Sequence, residues 1–198
     1  MLFRSAAYCA GNATPTVLSI AVTGAGPWSG TLSNGQSFSG ASSPISVTVP
    51  VPSSTTVYTI ASLSDANCTS LAGDRTGSAT VSINARPTAA LSGSAAICSG
   101  ETTNLTIAFT GTAPFTGTYS NGSATLSYTS ATTSLSIPVA PTASTTYTLL
   151  SVADANACGA LSGDVSGIVV VTVNPSTLDS VLGIKNVCPY VGRDTILS

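Results

Sequence analysis

The chain has no histidine and one glutamate, Glu101, among 198 residues. The first absence excludes Ser-His-Asp and Cys-His catalysis and histidine metal centres. The second excludes a Glu/Glu acid–base pair. Charge is scarce: 6% of residues are charged, the net charge is −2, and the five basic residues are scattered. Electrostatic binding of nucleic acid needs clustered Lys and Arg, so that class is excluded. No apolar run approaches a membrane span, and the longest, Ile168-Val-Val-Val, reads as a strand. Met1-Leu-Phe-Arg leads into Ser-Ala-Ala-Tyr-Cys without an apolar signal-peptide core. There is no Cys-x-x-Cys, so structural bridges are favoured over redox chemistry for the cysteines.

What the chain does contain, it contains twice. Residues 7–35, AYCAGNATPTVLSIAVTGAGPWSGTLSNG, and residues 96–122, AICSGETTNLTIAFTGTAPFTGTYSNG, share one order of signals. Each opens on Cys-x-Gly, passes through an alternating apolar strand and a Gly-x-x-Pro-aromatic turn, and reaches Ser-Asn-Gly. Downstream, Tyr58–Cys68 (YTIASLSDANC) is matched by Tyr147–Cys158 (YTLLSVADANAC). Cys9 and Cys98 are 89 residues apart, and Cys68 and Cys158 are 90 apart. That period is a small domain, not a solenoid unit. The predicted division is a repeat over 1–86, a second over 87–174, and a remainder over 175–198. The remainder carries Cys188, 90 residues after Cys98, and reads as a linker plus the first strand of a third, incomplete repeat.

Ser and Thr supply 62 residues, yet 43% of the chain is hydrophobic, and Val, Ile and Leu alternate with Thr and Ser. Alternation of this kind builds half-buried strands. In the second repeat the expected strands are Glu101–Thr110, Phe115–Ser120, one through Leu126 and Tyr128, Ser134–Val139, Thr145–Val152 and Ile168–Asn174. The first repeat maps on through Leu18, Ile20 and Val22, then Ile45, Val47 and Val49, then Tyr58, Ile60, Val81 and Ile83. About seven short strands per repeat without a helical period predict tandem immunoglobulin-like β-sandwiches. Asn84-Ala-Arg-Pro-Thr and Asn174-Pro-Ser-Thr are short proline-bearing joints, expected to be semi-rigid.

Two cysteines per repeat at fixed positions predict one disulfide each, Cys9–Cys68 and Cys98–Cys158, at one end of the sandwich, and leave Cys188 unpaired. Bridges of this kind point to an oxidising, extracellular setting. Asp65 and Asn67, with Asp154 and Asn156, are candidate Ca²⁺ ligands. The competing use, in Asx-turns, is favoured because each repeat offers only two aspartates. Those carboxylates, Asp65 and Asp74, then Asp154 and Asp164, recur in tandem, which fits a structural use and not a catalytic pair. Trp28 and Phe115 take equivalent places after proline. They read as core plugs beneath the turn, with stacking on a sugar as the alternative.

Cys98-Ser-Gly-Glu-Thr, Thr110-Gly-Thr-Ala-Pro-Phe, Thr145-Thr-Tyr-Thr-Leu and Val152-Ala-Asp-Ala-Asn-Ala-Cys resemble tandem Ig-like or PKD-like repeats of giant Bacteroidota surface proteins. Gliding-motility adhesins exported by the type IX system carry such repeats. The resemblance implies a cell-surface or filamentous role and carries over no catalytic residue or cofactor. Asp179-Ser-Val and Asp194-Thr-Ile also resemble that phylum's O-glycosylation motif, which would modify Ser180 and Thr195. The expected function is a non-catalytic structural segment of an extracellular filament or adhesin. Its expected partners are neighbouring copies, further repeats of the same chain, or surface glycans. The alternatives are a subunit polymerising by strand donation from residues 175–198, and a carbohydrate-binding or spacer module of a secreted enzyme.

Overall fold

The computed structural model describes residues 5–12 and 14–174. The chain divides into two compact units, Met1–Ala85 and Arg86–Ser198. In the first, the strands are β1 (Ala6–Cys9), β2 (Thr16–Ile20), β3 (Trp28–Leu32), β4 (Ser37–Gly40), β5 (Ile45–Val49), β6 (Thr56–Tyr58), β7 (Ile60–Ser64) and β8 (Ala79–Asn84). They pair as β1-β8-β6, β4-β3-β7 and β2-β5. In the second, they are β9 (Thr88–Ser92), β10 (Ala95–Cys98), β11 (Thr103–Thr110), β12 (Phe115–Ser120), β13 (Thr125–Ser130), β14 (Ser134–Val139), β15 (Thr145–Ala153), β16 (Val165–Ser166) and β17 (Ile168–Asn174). They form a five-stranded sheet, β10-β17-β15-β12-β13, and a four-stranded one, β14-β11-β9-β16.

The fold is an all-β, immunoglobulin-like sandwich. Its core follows the alternation in sequence. Leu105, Ile107 and Phe109 of β11 face inward, as do Leu18, Ile20 and Val22 in the first unit. Pro138 lies in β14, an edge strand, where a missing N–H costs no ladder bond to a further neighbour. Leu126 departs from expectation: it is 38% exposed, while Tyr128, two residues on, is buried. It belongs to β13, the outermost strand of its sheet, where the core ends.

Two short strands, β9 and β10, escape the sequence reading. The chain leaves one sheet for the other between them, pairing antiparallel with β11 and then parallel with β17. Gly93, at φ +117°, makes the break, and a Cβ there would stand 2.5 Å from the Asn104 carbonyl oxygen. Only glycine fits.

The two cores are filled by different rings. Phe109 and Phe115 stack at 4.7 Å in the second unit. In the first, Val22 and Trp28 hold the corresponding places, so a larger ring offsets a smaller neighbour. Behind each lies a glycine under an aromatic ring: Gly117 pairs with Tyr128, and Gly30 with Phe38. A Cβ at either glycine would collide with that ring and with the carbonyl of Ser151 or Ser62.

Candidate functional site

The chemistry-bearing side chains gather at the ends of the sandwiches. Each unit has an entry end and an exit end. In the second unit the entry end holds the Gly111–Pro114 turn and the loop from Asp154 to Gly159. The exit end holds Cys98, level with Asn174. The first unit repeats this, with Asp65–Cys68 at the entry end and Cys9, level with Asn84, at the exit end.

Asp154 ties the entry loop together. Its Oδ1 accepts from the backbone N–H of Asn156 (3.0 Å) and Cys158 (3.2 Å), and its Oδ2 from Thr112 N–H (3.3 Å) and Asn156 Nδ2 (3.3 Å). Asp65 does the same, accepting from Asn67, Cys68 and Ala25 at 2.8, 2.7 and 3.1 Å. The amides of Asn67, Cys68 and Ala25 hold the Asp65 carboxyl below the ordinary carboxylate range, against a smaller opposing effect of burial. Asp74 and Asp164 cap the short 3₁₀ turns Ala72–Asp74 and Ser162–Asp164, each accepting from a leucine N–H at 2.8 Å. The carboxylates considered for Ca²⁺ are thus committed to backbone amides, the Asx-turn use. Asn156 serves the same loop through its Nδ2. Among the described residues, no three His, Cys, Asp or Glu side chains gather as a metal site.

Trp28 and Phe115 are not platforms. They are 8% and 0% exposed, so neither offers a ring face to a sugar. Proline turns them inward, and the apolar ring gains more from the core than from water. The Trp28 Nε1 is buried without a hydrogen-bond acceptor.

The predicted bridges do not form. Cys68 is an exposed free thiol, so Cys9–Cys68 is absent, although Cys9, Cys98 and Cys158 are each held in a disulfide. Register gives the reason. Cys98 lies beyond the Thr145 end of β15, and Cys158 lies beyond its Ala153 end. A nine-residue strand spans about 26 Å, whereas bridged Cα atoms lie within about 7 Å. Cys9 and Cys68 stand equally far apart, at the two ends of the β6–β7 run. Cysteines of one repeat therefore sit at opposite ends, which excludes Cys98–Cys158 as well. Ser180, Thr195, Cys188 and the proposed donor segment over 175–198 lie outside the described residues.

Among the described residues, no helix is long and apolar enough to cross a membrane. No family model matches the chain, and no curated protein matches its sequence. Solved structures do match. Dpr11 IG1 bound to DIP-gamma IG+IG2 is similar at 12% identity and TM-score 0.40, over 87% of this chain and 96% of that one. The I9–I11 tandem from titin is similar at 10% identity and TM-score 0.39, over 87% and 64%. The fibronectin(III)-like modules of Clostridium thermocellum CbhA are similar at 12% identity and TM-score 0.37, over 89% and 93%.

Proposed function

We propose that the chain is a non-catalytic structural segment of an extracellular filament or cell-surface adhesin, in which sandwich repeats extend end to end. The placement of the cysteines is the observation that carries this reading: each sandwich has one at its entry end and one at its exit end. A bridge within a domain stabilises that domain, whereas sulfur at both ends is suited to linking a series. The motif resemblance to repeats of large Bacteroidota surface proteins favours the same role. The carboxylates serve turns and the aromatics serve the core, so both are absorbed by architecture. Electron microscopy of the native polypeptide tests the proposal. Unbranched fibres with an axial repeat of one domain are expected, and compact particles without an axial repeat would overturn it.

A further inference from the structure

The two sandwiches differ along one side, where an edge strand of one sheet faces an edge strand of the other. In the first unit a side chain spans that gap. Gln36, directly before β4, donates from Nε2 to the Thr48 carbonyl of β5 at 2.6 Å. In the second unit the facing edges are β13 and β14. Register gives the equivalent places. Tyr119 stands where Leu32 stands, Leu126 where Gln36 stands, and Pro138 where Thr48 stands. Leu126 carries no hydrogen-bonding side-chain group, so nothing at its position replaces the Gln36 bond.

The unbridged side of the second unit is a groove of about 510 Å³, walled by Leu126, Pro138 and Pro141 and by Tyr119, Tyr147 and Asn121 among others. Tyr119 and Tyr147 are only 7% and 5% exposed. Among the described residues neither hydroxyl has a hydrogen-bond partner, whereas the Tyr128 hydroxyl has one in the Ser151 carbonyl. Burial raises the Tyr147 phenol, with a smaller contribution from neighbouring Tyr119, so the Tyr147 hydroxyl stays protonated and can both donate and accept. Asn121 Oδ1 is taken by the N–H groups of Ser123 and Ala124, at 3.1 and 2.8 Å, which leaves its Nδ2 as a donor. None of the residues lining the groove is charged.

We infer that this groove binds a neutral sugar residue of a glycan. Two hydroxyls on buried rings, without a protein partner, call for a ligand that both donates and accepts. An ionised ligand would give up its hydration to a lining that offers no counter-charge. An apolar ligand would leave the two phenols and the Asn121 amide unpaired. A neutral sugar meets both conditions. Its hydroxyls answer Tyr119, Tyr147 and Asn121, and its C–H faces lie against Leu126, Pro138 and Pro141. The site belongs to the second unit alone, because Gln36 closes the gap in the first and Leu32 removes one phenol. The inference goes beyond the filament reading and stands independently of it.

The test titrates the full chain with the methyl glycosides of glucose, galactose, mannose and N-acetylglucosamine, and with methyl glucuronide as the charged control. Binding is read by nuclear magnetic resonance of the Tyr119 and Tyr147 rings. A saturable shift with at least one neutral glycoside is expected. Tyr147→Phe keeps the buried ring, removes the hydroxyl, and should weaken that glycoside about fivefold. Leu126→Gln, at an exposed position, supplies the closure seen in the first unit. It should abolish the shift while the spectrum away from the groove stays unchanged. No saturable shift with any neutral glycoside at its solubility limit, undiminished binding in Leu126→Gln, or tighter binding of the glucuronide would each overturn the inference. Fibres seen by electron microscopy are unaffected by these outcomes, so the filament reading stands or falls separately.

Discussion

Replacing Asp154 with alanine should destabilise the second unit by about 3 kcal/mol. The change strips the acceptor from three backbone N–H groups and one side-chain amide. A buried N–H left without a partner costs about 1–3 kcal/mol. Thr112 and Asn156 are exposed, so water replaces the carboxylate at their amides at small cost. Cys158 is fully buried, and its N–H cannot recruit water. One full penalty and two small ones give the total. For a unit of this size the loss corresponds to a fall in Tm of about 10–20 °C. Calorimetry of the full chain measures it. Trp28, the only tryptophan, reports the first unit separately by fluorescence, and its transition should not move. Asp154→Asn keeps one carbonyl acceptor and should cost about 1 kcal/mol. Added Ca²⁺ should leave both Tm values where they are, because the carboxylate oxygens are already occupied. An alanine variant within about 0.5 kcal/mol of the parent, or an asparagine variant as damaging as alanine, would refute the reasoning.

Gly117→Ala places a methyl group against Tyr128 and the Ser151 carbonyl, and should cost at least about 1–3 kcal/mol by chemical denaturation. Gly30→Ala should behave alike against Phe38 and Ser62. Tyr128, whose hydroxyl donates to the Ser151 carbonyl at 2.7 Å, has its phenol pushed up to about 12 by burial. Folding therefore favours the protonated phenol. That contribution is full below about pH 10 and is lost as pH rises through about 12; burial also raises the Tyr147 phenol, so ultraviolet titration should find late-ionising tyrosines, of which Tyr128→Phe removes one. Asp65 has the opposite sign: its folded carboxyl is more acidic than 3.8, so its contribution is present above that value and fades as pH falls below it. The gap in stability between the parent and Asp65→Asn should then be constant near neutrality and close in acid, as read by denaturation midpoints across pH.

The strands were legible because alternation is a direct consequence of burying one face. Leu105, Ile107 and Phe109 are legible as core residues from sequence alone, as are Ile45, Val47 and Val49. β9 and β10 were not, because Thr-Ala-Ala-Leu-Ser and Ala-Ala-Ile-Cys are short, weakly apolar and split by Gly93. The fates of Trp28 and Phe115 followed from the swap of one ring for another. The sequence does carry a signal for where the cysteines fall. Successive strands reverse direction, so β11 and β15, with three strands between them, run the same way. The start of one and the end of the other therefore fall at opposite ends. Strand reversal thus separates Cys98 from Cys158, although their equal spacing in the two repeats resembles that of a bridged pair.

The central claim is that the two cysteines of a repeat stand at opposite ends of its sandwich and do not staple it internally. Mass spectrometry of the unreduced, alkylated and digested chain tests it most directly. The expected result is recovery of Cys68 as the alkylated thiol, with no peptide pair joining the two cysteines of one repeat. Recovery of Cys9 linked to Cys68, or of Cys98 linked to Cys158, would contradict it.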